Sequence, residues 1–310
     1  MSSLSNLVGW NLCNVERFCA LGDQMRLRSY QKPVAHAVIK SVMEQEGHLF
    51  LVVFPRQSGK NELQAQLEAF LLARLSLRPA QLIKISPTMR PQALNAMHRL
   101  EMVLERNQLT RGLWHKEGGN IYRIGQARIT FLSGAPESNI VGATASTLLQ
   151  VDEAQSITIA KYDREIVPMV ASTNATRVLW GTAWTSQTLL ARELRASREA
   201  EQADGMRRVF ITGADVVARE VPAYARFIAG QVARFGRSNP YIKSQFFSEE
   251  VDAQGGLFPA WRQALAQGGH AAQEKPIPGT IYAMLVDVAG EDEGLAEKGE
   301  LKNSARDATA

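Results

Sequence analysis

The sequence predicts an α/β protein with a mainly parallel sheet flanked by helices. Three observations predict it. Leu49 to Phe54 is a short apolar run, partly β-branched, that ends at Pro55. Gln64, Ala65, Leu67, Phe70, Leu71 and Leu72 then recur at helical spacing, so a strand is followed by a helix. The order repeats with a strand over Gln81–Pro87 and a helix over Thr88–Arg106, which is the pattern of parallel βαβ units.

Composition narrows the class further. The 310 residues suffice for one large domain or two ordinary ones. At 45% hydrophobic and 21% charged the chain is an ordinary globular protein. A net charge of +4 is compatible with a nucleic-acid partner, but the excess is too small to argue for one. Cys13 and Cys19 have neither metal-pair spacing nor a disulfide framework, which reads as two reduced thiols. No apolar run is long enough to span a bilayer, and the N-terminus lacks a basic segment followed by an apolar one. A cytosolic protein with no membrane partner is expected.

The chain opens with mixed sequence and a short helix around Val15–Leu21. Leu27 to Pro33 precedes a helical run (Val34, Val38, Ile39, Val42), and Pro33 suits its first turn. Tyr30 and Gln31 have two readings here. The ring and amide can stack on a purine and bond its edge, or the segment simply caps the helix.

Between the first strand and its helix lies Arg56-Gln57-Ser58-Gly59-Lys60-Asn61. A loop so placed can aim backbone N–H groups and a helix N-terminus at a phosphate, with Lys60 adding a point charge on the β- and γ-phosphates. The match to a P-loop is partial. Phe54 stands where the first glycine belongs, and Asn61 where Ser or Thr belongs. The alternative reading of Gly59-Lys60 is an exposed turn.

Ile121–Ile124 and Ala127–Leu132, joined by Gly125-Gln126, predict a β-hairpin with a two-residue turn. A polar, glycine-containing loop follows from Ser133 to Thr144. Thr147–Val151 then reads as a strand running into two acids in series, with Gln150 as a polar blemish. Asp152, at the strand end, can hold Mg²⁺ on a nucleotide through water, and Glu153 can act as general base toward water. The alternative is that both acids cap a helix start.

Arg177–Ala183 reads as a strand ending in small residues, followed by a helix from about Gln187 to Ala200. Thr182 would sit at the carboxyl edge of the sheet, where open α/β folds bind ligands. It either senses a γ-phosphate or is a plain N-cap. Arg207–Thr212 is a further strand, and helices at about 222–235 and 240–250 close the domain. Composition shifts at Gln254-Gly255-Gly256, and Pro259–Ala266 can form a short helix. Gly268-Gly269 and Pro276–Gly279 read as a linker. Ile281–Gly290 then reads as a fresh strand carrying Asp287, and a lone strand cannot bury itself.

The order and spacing of these motifs resemble the ATPase half of the large terminase subunit, the DNA-packaging motor of tailed phages. The resemblance covers roughly 27–260. Leu27-Arg28-Ser29-Tyr30-Gln31 resembles the family's adenine-binding segment, and Arg56–Lys60 its divergent Walker A, which often lacks the first glycine. Val151–Ala154 resembles Walker B with the catalytic glutamate, and Gly181-Thr182-Ala183 the coupling motif. The resemblance implies a P-loop NTPase of the RecA-like (ASCE) type over 1–258, a linker over 259–279, and the start of an RNase H-like nuclease over 280–310. By resemblance, Arg56, Lys60 and Glu153 are catalytic, with Arg56 stabilising γ-phosphate transfer from within the same subunit. Tyr30, Gln31, Arg56, Gln57, Ser58, Gly59, Lys60 and Asn61 bind nucleotide, and Thr182 couples hydrolysis to movement. Asp152 holds Mg²⁺, and Asp287 is the first metal-binding aspartate of the nuclease.

Two departures stand out. Asn61 lacks the hydroxyl that normally ligates Mg²⁺, for which an amide oxygen is a poorer substitute. Val141-Gly142 replaces an expected Arg-Gly before Walker B. The remaining nuclease acids would follow Ala310, so the chain is expected not to assemble that site alone, as a fragment, a truncated product or one piece of a split gene. ATP and Mg²⁺ are the implied cofactors. Double-stranded DNA, the small terminase subunit and the procapsid portal are the implied partners, with assembly as a homo-oligomer on the portal in the host cytoplasm. Two alternatives stay open. One is a superfamily-2 helicase-like ATPase, for which too few residues follow position 260 to make a second RecA-like domain. The other is a non-catalytic fragment that binds nucleotide or DNA.

Overall fold

Leu49–Val53 is apolar at every position, so its strand must be covered on both faces, as parallel strands are. It is β1, and Phe50, Leu51, Val52 and Val53 are all fully buried. A computed structural model describes it together with the rest of residues 14–250, which lie in the first of the chain's two units, 1–261. The predicted linker, the strand at Ile281–Gly290, Asp287 and Cys13 lie outside the described residues, as do the boundaries proposed at 258 and 280.

The other strands are β2 (Ala80–Ser86), β3 (Trp114–Glu117), β4 (Ile121–Ile124), β5 (Ala127–Ser133), β6 (Leu148–Val151), β7 (Thr176–Gly181) and β8 (Val209–Ile211). They form one sheet in the order β3-β4-β5-β2-β6-β7-β1-β8. From β5 to β8 every neighbouring pair is parallel, and only the β3-β4-β5 end is antiparallel. The expected hairpin turns at Gly125-Gln126, with Ile124 opposite Ala127.

Seven helices are used below: α1 (Gln31–Glu44), α2 (Lys60–Arg74), α3 (Leu94–Arg106), α4 (Leu189–Asp204), α5 (Ala214–Glu220), α6 (Pro222–Phe235) and α7 (Pro240–Phe247). Alternation along the strands sends side chains to two cores. Phe50 and Val52 join the core with Val34 and Val38 of α1, Leu63 and Phe70 of α2 and Leu100 of α3. Leu51 and Val53 join the opposite core with Leu190 of α4 and with Tyr162 and Ile166 from the segment between β6 and β7.

The structure adds to and corrects the sequence reading. Regular helix begins at Leu94 rather than Thr88, because Arg90 precedes Pro91 and is extended (φ −124°, ψ 128°). The last helix stops at Phe247, where Ser248 turns left-handed (φ 53°). Strand β3 and helix α5 were not expected. Val141 is exposed in its loop. Among the described residues no helix is long and apolar enough to cross a membrane.

Candidate nucleotide-binding site

The loop after β1 is shaped by its own backbone. Ser58 Oγ donates to the Pro55 carbonyl at 2.6 Å, and Gln57 (φ 61°) and Gly59 (φ 87°) take left-handed conformations. A Cβ at Gly59 would stand 2.9 Å from Gln31 Nε2, so the position suits glycine twice over. Lys60 then begins α2, with Gly59 as its N-cap.

Residues at the start of α1 and just before it brace this loop from behind. Tyr30 Oη donates to the Ser58 carbonyl at 2.6 Å, and Arg28 Nη1 donates to the same oxygen at 2.8 Å. Gln31 Nε2 donates to the Gly59 carbonyl at 3.0 Å, while its Oε1 accepts from the Arg28 backbone at 2.9 Å. Tyr30 is buried, with its ring edge-on to Phe54 at 5.4 Å. A trans peptide sets N–H opposite C=O. Carbonyls held by the brace therefore turn the N–H groups of Gly59 and Lys60 away from it, at the N-terminus of α2, where anions bind. The polar groups of Tyr30 and Gln31 face the loop, and Gln31 also closes the turn that opens α1, as the capping alternative had it.

Strands β1, β6 and β7 run parallel as neighbours in the order β6-β7-β1, so their carboxyl ends share one edge. Lys60, Asp152 and Thr182 follow these strands and meet there. The Lys60 ammonium donates to Glu153 Oε1 and to Thr182 Oγ1 at 3.2 Å, and it lies 3.4 Å from Asp152 Oδ1. Thr182 Oγ1 donates to Glu153 Oε2 at 3.3 Å. Glu153 makes no capping bond, and the helix after β7 is capped by Thr188 instead of Thr182. Neither capping alternative describes these side chains. Glu153 is held left-handed (φ 45°), a strained conformation for a residue with a side chain.

Burial alone would depress the Lys60 ammonium, but Asp152 and Glu153 outweigh it and hold it above its ordinary range. Burial alone would raise the Asp152 carboxyl. The cations of Lys60 and Lys84, with a bond from Gln64, hold it below the ordinary range instead. Both groups are therefore charged at neutral pH.

These groups open on a cleft of about 820 Å³ that is also lined by Arg56, Gln57, Asn61 and Gln155. Arg56 is exposed. Its backbone N–H donates to the Gln245 carbonyl of α7 at 3.0 Å, and the residue lines the cleft. Sequence reasoning missed three contributors. Gln64, one turn along α2 from Lys60, donates to Asp152 Oδ1 at 3.0 Å. Gln155, two residues after Glu153, donates to Glu153 Oε2 at 2.6 Å. Arg28 braces the loop. Gln64 and Gln155 are polar residues at fixed offsets from a motif residue, which was their only signal, whereas Arg28 lies inside the Leu27–Gln31 segment without a role assigned to it.

The donor set suits a hard cation carried by a nucleotide. Asp152 is an ionised carboxylate in the cleft, and Asn61 and Thr182 line the same cleft with neutral oxygens. Among the described residues no group of three or more His, Cys, Asp or Glu side chains is placed to hold a metal by itself. Mg²⁺ in nucleotide sites takes one or two protein oxygens and completes its coordination with phosphates and water.

No family model and no curated protein matches the chain. Solved structures do. The large terminase of bacteriophage HK97 superposes with a TM-score of 0.60 at 15% identity, over 78% of this chain and 55% of that one. The large terminase ATPase domain of Thermus phage P74-26 gives 0.55 at 16% identity, over 74% and 96%. The large terminase of a thermophilic bacteriophage, in complex with ADP, gives 0.53 at 10% identity, over 71% and 52%. The chain thus spans about half the length of the HK97 protein and of the ADP-bound one, and it has the fold of a large-terminase ATPase domain.

Proposed function

We propose that this chain, folded as a large-terminase ATPase domain, is the ATP-hydrolysing motor subunit of a phage terminase that moves double-stranded DNA into a procapsid. The observation that carries the reading is the meeting of Lys60, Asp152, Glu153 and Thr182 at one sheet edge, beside a braced loop at the N-terminus of α2.

In this reading the N–H groups of Gly59 and Lys60 and the Lys60 ammonium bind the phosphates. Tyr30 and Gln31 contribute by fixing Ser58 and Gly59, and Gln57 by its left-handed turn. Asp152 holds Mg²⁺ with help from Asn61. When bound, Mg²⁺ supplies charge neutralisation on the phosphoryl group. Lys60 gives up Glu153 for a phosphate oxygen, and the freed Glu153 carboxylate takes a proton from water, oriented by Gln155 and Thr182. Arg56 reaches the charge that develops on the transferred group. Thr182, bonded to Glu153, passes the change to β7.

The DNA contact is to the phosphate backbone, salt-sensitive and largely sequence-independent. The small terminase subunit and the portal are its packaging partners, in a homo-oligomer on the portal within the host cytoplasm. Residues 280–310, with Asp287, begin an RNase H-like nuclease domain.

Steady-state ATP hydrolysis in Mg²⁺, with and without duplex DNA and beside Glu153→Gln, tests the reading. Turnover lost in the variant and raised by duplex supports a motor. Binding without turnover in either condition replaces it with a non-catalytic nucleotide-binding domain.

A further inference from the structure

Beneath the cleft lies a second polar group that the proposed chemistry does not use. Lys84 of β2 and Glu68 of α2 are buried in the core and bonded at 2.8 Å, with side chains only 1% and 0% exposed. Gln150 of β6, directly opposite Lys84 in the sheet, donates to the same Glu68 oxygen at 2.9 Å. Its own carbonyl oxygen accepts from Trp180 Nε1 of β7 at 3.0 Å. Four elements are thus joined through two side chains, Glu68 and Gln150.

Stability is a poor explanation for this arrangement. A buried ion pair is often matched or bettered by apolar residues of the same volume. Here Glu68 Oε2, Gln64 Oε1 and Ser86 Oγ are also buried with no hydrogen-bond partner among the described residues, and each such atom costs stability. Directional bonds do confer register, where apolar contacts tolerate sliding. The placement fits that use. Gln150 lies in β6 two residues before Asp152, which follows the strand, and Glu68 lies one turn after Gln64, which holds Asp152. Trp180 lies two residues before Thr182.

We infer that Glu68, Lys84, Gln150 and Trp180 form a buried clamp that sets α2, β6 and β7 in register, so that Lys60, Asp152 and Thr182 meet at the cleft with fixed spacing. Gln150 is the positioning residue, since it alone bonds to both Glu68 and Trp180. The clamp touches no ligand and acts through the backbone and through Gln64. This inference rests on the nucleotide reading above.

The test titrates ADP into the full chain with and without Mg²⁺, for wild type, Gln150→Leu and Leu148→Ala. Gln150→Leu removes two of the three clamp bonds and leaves the Lys84–Glu68 pair whole. Leu148→Ala is an apolar loss on the same strand. For Gln150→Leu the half-saturating Mg²⁺ concentration rises about tenfold, the scale seen when a partner orienting a metal-binding side chain is removed. Binding of ADP without Mg²⁺ stays near its wild-type affinity, since the loop is braced independently by Arg28, Tyr30 and Gln31. Leu148→Ala lowers the melting temperature but leaves the Mg²⁺ titration at the wild-type position. A Gln150→Leu titration that superposes on wild type overturns the clamp, as does an equal shift in Leu148→Ala. If Gln150→Leu does not fold, Trp180→Phe removes the indole N–H together with part of a fully buried ring, and its Mg²⁺ titration is read against the apolar loss in Leu148→Ala in the same way. Wild type that binds no ADP at all defeats the nucleotide reading itself, and the clamp's role with it.

Discussion

Lys60 donates to Glu153 in this structure, so the residue assigned to phosphate and the residue assigned to water hold each other. A phosphate that claims Lys60 must release Glu153. Binding and activation are then one exchange of partners.

Glu153→Gln separates the two. Removing a general base costs roughly 10²- to 10⁴-fold in turnover. Lys60 loses a competing anion, so ADP affinity stays the same or tightens. Turnover measured beside calorimetric ADP binding checks this, and a large loss of ADP affinity would count against the exchange.

Lys60→Met leaves Asp152, only 5% exposed, without its nearer cation. Breaking a buried pair this way costs about 3–5 kcal/mol. Urea unfolding gives the stability change, and phosphate-dependent binding is lost with it.

The same pair fixes a pH dependence. Asp152 is held below its ordinary range, so its contribution is complete above the unfolded value of about 3.9 and is lost as pH falls through the folded one. Lys60 is held above its range, so its contribution is complete below about 10.4 and is lost as pH rises through the folded value. Between about pH 5 and 9 the wild-type pair adds no slope. In Lys60→Met the Asp152 carboxyl rises and the folded state takes up a proton more readily. The stability gap between the two proteins is therefore widest near neutrality and narrows with acid. Urea midpoints at a series of pH values measure it, and a gap that widens in acid reverses the argument.

Gly59→Ala introduces a Cβ at a left-handed φ of 87° and 2.9 Å from Gln31 Nε2. Strain of this kind costs about 1–3 kcal/mol. ADP binding falls, because the displaced Gln31 no longer holds the loop. Thermal melting with and without ADP separates the two effects.

Cys19 is fully buried, and burial, with the nearby Asp23, Glu62 and Glu16 carboxylates, pushes its thiol up to about 12. In a Cys13→Ser background, a thiol reagent at pH 8 leaves the native protein unlabelled and modifies it only after denaturant is added.

The framework was legible because its signals are local. The apolar run of β1, the Gly59-Lys60 loop and the Gly125-Gln126 turn each state their conformation within a few residues. Asp152, Glu153 and Thr182 were legible as candidates because strand ends place them. The clamp was not, because Glu68 in a helix and Lys84 in a strand read as solvent-facing until their partners are known. Gln150 registered only as a blemish in an apolar run, and its partners lie 30 and 82 residues away. Strand β3 escaped because its sequence, Trp-His-Lys-Glu, has no period-2 contrast.

The two ends of the sheet carry a last consequence. Among the described residues one border is the three-residue β8, and the other is β3, with His115 and Lys116 exposed along it. Short or charged borders are poor templates for strand addition. Copies of this protein set side by side would therefore meet through helices and loops, with each sheet remaining a closed unit inside its own subunit.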